Sequence, residues 1–114
     1  MKFNSFEEIH CWQKSRGIAL IINKEFKYCK DFSFKDQIHR ASVSIMNNIA
    51  EGFERKGNKE FKKFLYIAKG SCAEVRSMIY LAKDLNYINE RVYQDILNRS
   101  IVISKMLSGL IKTI

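Results

Sequence analysis

Within residues 58–85, four cations recur at a strict seven-residue interval: Lys62, Lys69, Arg76 and Lys83. On a helix turning about 100° per residue, that interval keeps all four within roughly 60° of one another, in one basic stripe. Tyr66 and Tyr80 fall beside the stripe. Ammonium and guanidinium groups contact phosphate oxygens, and an aromatic ring offers a face on which a nucleobase stacks. The mixture therefore has the chemistry of a nucleic-acid-binding surface. A solvated face whose lysines serve solubility would give the same spacing. Arg55, Lys56, Lys59 and Lys63 add positive charge around the start of the same segment.

A second ordered set lies upstream. Gln37, Arg40, Ser44, Asn48, Glu51 and Arg55 advance in steps of three and four, so the six share an arc of roughly 80° on a helix. Phe34, Ile38, Ala41, Ile45, Ile49 and Phe53 form an apolar stripe beside them. Polar side chains bordering a core are partnered across an interface or held for a ligand, because desolvating one unpaired costs about 1–3 kcal/mol. Neighbours one turn apart (Arg40 and Ser44, Asn48 and Glu51, Glu51 and Arg55) can also satisfy one another at the surface. The pattern favours contacts that fix the register between helices or subunits, with Arg40 and Asn48 its most informative members. Gly52 falls in the apolar half of the wheel, where it permits close approach of another helix.

Catalytic chemistry is not written in the chain. It has no Gly-rich phosphate loop, GxSxG elbow, HExxH or Cys/His/Asp set, and Glu51 has no nucleophile or second carboxylate at a useful spacing. Gly70-Ser71-Cys72 lies inside a helical pattern and reads as a packing point. Cys11, Cys29 and Cys72 make an odd count without CxxC spacing, which fits reduced thiols. His10 and His39 lack a partner at metal-ligand spacing. The expectation is a protein that is not an enzyme and uses neither metal nor cofactor.

Length and charge bound the rest. A chain of 114 residues makes one domain, 1–114. Its net charge of +8 and pI near 9.5 favour polyanionic partners: nucleic acid, acidic protein or anionic membrane. The longest apolar runs, Ile18 to Ile22 and Ile101 to Ile103, are too short to span a bilayer. Met1-Lys2-Phe3-Asn4-Ser5 leads into Glu7 and Glu8 without the apolar stretch of a secretory leader, so a cytoplasmic location is expected.

These side chains need helices to position them, and the whole chain reads as helix. It contains no proline and no sustained alternation of the β type. Ser5 with Glu8 has the spacing of a capping box and opens a first helix over roughly 5–27. Ser33 with Asp36 opens a second, over 33–55. Gly57-Asn58 supplies a break and a cap for a third, over 58–85. Asn86-Tyr87-Ile88-Asn89 is a turn, and Asn89 caps a fourth over 89–113. Four helices joined by short connections predict an all-α, antiparallel up-down-up-down four-helix bundle. Tyr93, Ile96, Ser100, Ile103, Leu107, Leu110 and Ile114 form the inward seam of the fourth helix. Phe61, Phe64, Leu65, Ala68, Cys72, Val75, Ile79 and Ala82 form that of the third. The third helix also carries Ile67, Met78, Leu81 and Leu85 about 120° away, and the first is apolar on more than one side, which predicts self-association.

The run Gln37-Ile38-His39-Arg40-Ala41 through Ser44, followed by Asn48-Ile49-Ala50-Glu51-Gly52, resembles the signature of the 23S rRNA-intervening-sequence protein family, also called S23-type four-helix-bundle proteins. The likeness extends to Phe6, Trp12-Gln13-Lys14, Phe61, Phe64-Leu65, Ala68-Lys69-Gly70-Ser71 and Leu85-Asn86-Tyr87. It implies a bacterial homopentamer of four-helix bundles. The chain is also similar to the accessory variability determinant of diversity-generating retroelements, a basic pentamer that binds a reverse transcriptase and nucleic acid. Where the family commonly has proline, this chain has Met46, which restores a backbone donor and predicts a straighter second helix. Two functions follow as expectations. One is a homo-oligomeric bundle binding RNA or DNA non-specifically through its basic face. The other is a protein-interaction scaffold for a nucleic-acid enzyme such as a reverse transcriptase.

Overall fold

The computed structural model describes residues 3–114. Met1 and Lys2, the first residues of the stretch read as lacking a leader, lie outside it. The described chain is all-α: α1 His10–Glu25, α2 Phe32–Glu54, α3 Asn58–Asp84 and α4 Glu90–Thr113, preceded by a 3-10 turn at Phe6–Glu8. Each helix packs on its sequence neighbour, and α1 closes the ring on α4. The predicted up-down-up-down bundle is the fold.

The first helix starts later than its capping-box spacing predicts. Ile9 adopts an extended conformation (φ −77°, ψ 120°) between the 3-10 turn and α1, and the Ser5 side chain makes no capping bond. The Glu8 carboxylate instead accepts from the Asn4 amide at 3.0 Å. Burying the Ile9 side chain, which is 1% exposed, wins over continuing the helix. Gln13 Nε2 then ties α1 to the turn through Glu7 O at 2.8 Å, and Phe6 packs edge-on against Trp12.

The second helix is capped by Asp31 rather than Ser33, which lies within α2. Asp31 Oδ1 accepts from the Phe34 amide at 3.1 Å, and its other oxygen accepts from the Tyr87 hydroxyl at 2.6 Å. One carboxylate thus joins the α1–α2 connection to the α3–α4 connection. Helix α2 is unbroken through Met46. At the next turn Gly57, not Asn58, is the N-cap, and its φ of +90° lies in the region only glycine enters freely. Helix α3 closes on Asn86 at φ +60°, with Tyr87 N donating to Ala82 O and Asn86 N to Lys83 O, the paired bonds of a Schellman motif. Asn89 caps α4 through Val92 N at 2.9 Å.

The core runs the length of the bundle. Ile18, Ile22, Ile38, Ile45, Ile49, Leu65, Ile79, Ile96, Ile103 and Leu107 are buried to 1% exposure or less. Fully burying each contributes about 1.5–3 kcal/mol. Ser15, Ser42 and Ser100 are buried with them, and each hydroxyl donates to a carbonyl in the preceding turn, so the core carries no uncompensated hydroxyl there. The contact between α2 and α3 is set by Gly52. A Cβ placed there would lie 2.5 Å from the Phe64 Cβ and 3.3 Å from the Phe61 ring.

Candidate nucleic-acid interface

Helix α3 has two flanks with different chemistry, one beside α2 and one beside α4. The α2 ladder borders the first. Gln37 Nε2 donates to Glu74 Oε2 at 3.3 Å, and Ser44 and Ser71 share a hydroxyl bond of 2.9 Å. Asn48 Nδ2 reaches back to Ser44 O and Oγ, at 2.8 and 2.9 Å. Arg55 pairs with Glu51 at 2.8 Å and lies 5.0 Å from the centre of the Phe64 ring. Gln37, Arg40, Ser44, Ser71 and Glu74 line an open groove of about 570 Å³ between the two helices. Exposed Arg40 has no carboxylate within 4 Å among the described residues, whereas Gln37 and Ser44 are hydrogen-bonded across the helix pair. Ser71 and Glu74 therefore complete the ladder from α3. Their own spacing fits the row Ile67, Ser71, Glu74, Met78, Leu81, Leu85, in steps of four and three, which was the available signal. Of the apolar members only Met78 is buried; Ile67, Leu81 and Leu85 are exposed.

The basic row lies on the α4 flank. Lys62, Lys69, Arg76 and Lys83 are all half-buried, as long cationic side chains are when their stems lie along apolar surface. The four are not equivalent. Lys83 Nζ is 3.3 Å from Glu90 Oε1 and 4.4 Å from the centre of the Tyr93 ring, so α4 already holds it. Glu90 is held below the usual carboxylate range by Gln94 and by Lys83. Among the described residues, Lys62, Lys69 and Arg76 have no carboxylate within 4 Å. Tyr80, 49% exposed, packs edge-on against Tyr93, with ring centres 5.9 Å apart. Tyr66, 58% exposed, has no aromatic partner among the described residues. Of the two residues that remove Lys83 from the free row, Tyr93 was legible only as a member of the α4 seam, and Glu90 carries no periodic signal in the sequence.

A family model described as 23S rRNA-intervening sequence protein matches residues 7–109. The chain belongs to this family. A solved structure similar to it is a protein of unknown function from the S23 ribosomal protein family of Bacteroides thetaiotaomicron, with 30% identity and a TM-score of 0.83 over 90% of this chain and 98% of that one. Comparison with curated proteins gives no match. In this 23S rRNA-intervening sequence family protein, the signature residues Gln37 and Ser44 join α2 to α3 and Gly52 allows their close approach, while Asn48, expected to fix register between helices, bonds to Ser44 within α2. The free cations are a separate set on the other flank of α3.

Among the described residues, no three His, Cys, Asp or Glu side chains converge on a metal position. Burial pushes the Cys11 and Cys72 thiols up to about 11, so both are protonated and unreactive near neutral pH. The Cys72 thiol donates to Ser100 O at 3.1 Å, within the core. Among the described residues, no helix is long and apolar enough to cross a membrane.

Proposed function

We propose that this protein is a non-enzymatic, self-associating helical bundle that binds RNA or DNA without strict sequence preference, through the α4 flank of α3. One observation carries the reading: Lys62, Lys69 and Arg76 form a row of cations with no carboxylate within 4 Å among the described residues, on a chain of net charge +8. Their seven-residue interval corresponds to about 10 Å of helix, so the row extends about 21 Å along a straight element. Contacts of this kind recognise phosphate and do not read bases. The test is affinity for a structured RNA at stepped salt concentrations. Binding should fall steeply as salt rises and should depend little on sequence.

Self-association uses the opposite flank. Exposed Ile67, Leu81 and Leu85 lie within roughly 40° of one another on α3, beside the polar groove, and a second copy of the chain would bury them. Five copies is the stoichiometry that the family likeness implies. In such an assembly Arg40, already bordering the groove, contributes to subunit register while the cation row stays open. The same apolar row supports a second reading, a scaffold that docks a nucleic-acid enzyme such as a reverse transcriptase. A reverse-transcriptase gene beside the coding sequence favours the scaffold, and a position within an rRNA insertion favours the first reading.

A further inference from the structure

Helix α3 contains an internal repeat. Lys62, Tyr66 and Lys69 recur fourteen residues later as Arg76, Tyr80 and Lys83, each time a cation, a tyrosine four residues on and a lysine three beyond it. Fourteen residues advance about 21 Å along the helix and return to within about 40° of the same face. The structure makes the two copies unequal. In the second, Tyr80 leans on Tyr93 and Lys83 is bound by Glu90 over the Tyr93 ring. In the first, Tyr66 is the more exposed ring, and neither flanking lysine has a carboxylate within 4 Å among the described residues.

We infer that the first copy, extended by Arg76, is a binding site for single-stranded nucleic acid, with Tyr66 as the platform for one unpaired base and Lys62, Lys69 and Arg76 as its phosphate contacts. This rests on the nucleic-acid reading above and names the form of the ligand. In a duplex both faces of every internal base are covered by neighbouring bases, so an exposed tyrosine finds nothing to stack on and only the cations act. An unpaired base has a free face, and every base type has one, which makes such stacking tolerant of sequence. The row is charge-complementary to a single phosphate chain along its length. It ends at Arg76, because the fourth cation is already paired within the bundle.

The test compares a labelled 12-nucleotide single strand with a duplex of the same sequence, binding the 114-residue chain at low salt. Wild type should prefer the single strand. Tyr66→Ala should weaken single-strand binding about 5-fold or more, the lower end of the effect of losing one stacked base, and should leave duplex binding within 2-fold. Tyr66→Trp should retain single-strand binding, and Tyr80→Ala, whose ring already packs on Tyr93, should lose less than Tyr66→Ala. Because Tyr66 is exposed, the variants should melt as wild type does by circular dichroism. Equal affinity for the two ligands, or equal loss of both in Tyr66→Ala, overturns the inference and leaves general phosphate binding standing. Failure of wild type to bind either ligand overturns both.

Discussion

Lys83 and Glu90 meet across the α3–α4 turn at 3.3 Å, and that ion pair divides a regular row of four cations into three that are free and one that is not. The division makes a prediction that seven-residue spacing alone does not. Lys83→Gln should leave RNA affinity within about 2-fold of wild type, whereas Lys69→Gln, which removes an unpaired cation, should weaken it across all sequences tested. Fluorescence anisotropy on both variants checks this.

Gly52 and Gly70 should respond in opposite directions to the same substitution. Gly52→Ala forces a methyl against the Phe64 Cβ and should destabilise by about 1–3 kcal/mol as α2 and α3 are pushed apart. Gly70 lies inside α3 with nothing within 4 Å of an added Cβ, so Gly70→Ala should stabilise by about 0.5–1 kcal/mol through helix propensity. Urea titrations of the two variants measure both signs.

The Asp31–Tyr87 bond should give the bundle a pH window. The Tyr87 hydroxyl, with the Phe34 amide, holds the Asp31 carboxyl below its ordinary value, and Asp31 in turn pushes the Tyr87 phenol up. A depressed carboxylate contributes stability that is complete above its unfolded value, about 3.9, and lost as pH falls through the lower folded value. A raised phenol contributes stability that is complete below about 10 and lost as pH rises through the higher folded value. Melting temperature should therefore be flatter with pH at both edges in Tyr87→Phe than in wild type, and an unchanged profile would show that the bond adds nothing.

Assembly is expected to depend on the exposed α3 row. Light scattering of the purified protein should give a multiple of the 13.4 kDa protomer mass, five times it for a pentamer. Ile67→Glu combined with Leu81→Glu should shift the species toward the protomer without loss of helicity, since both positions are exposed in the single bundle. A wild-type monomer at micromolar concentration would remove self-association from the account.

Much of the fold was legible because it depends on local periodicity. The seams Phe61 to Ala82 and Tyr93 to Leu110 could be read from spacing, except that Phe64 is only partly buried, beside Gly52 and Arg55, and the turn before Asn89 could be read from its residues. What escaped the sequence depends on partners far along the chain. Ser33 has the better local cap spacing, but Asp31 has a second carboxylate oxygen that takes the Tyr87 hydroxyl, a residue 56 positions away. Ser5 and Glu8 match a capping box, yet the tertiary burial of Ile9 stops the helix there. The ladder from Gln37 to Arg55 was visible as an arc, while Ser71 and Glu74, which receive it, belong to another helix. Likewise the row from Lys62 to Lys83 looks uniform until the turn at Asn86 brings Glu90 under its last member.

The most direct measurement is the slope of log affinity against log salt for single-stranded RNA, in wild type and in Lys69→Glu with Arg76→Glu. Three phosphate contacts per engaged protomer predict a wild-type slope of about −2 or steeper, with weaker binding and a shallower slope in the variant. Absence of binding at low salt, or a variant that binds with the same affinity and slope as wild type, would contradict the proposal that the free cations of α3 hold nucleic acid.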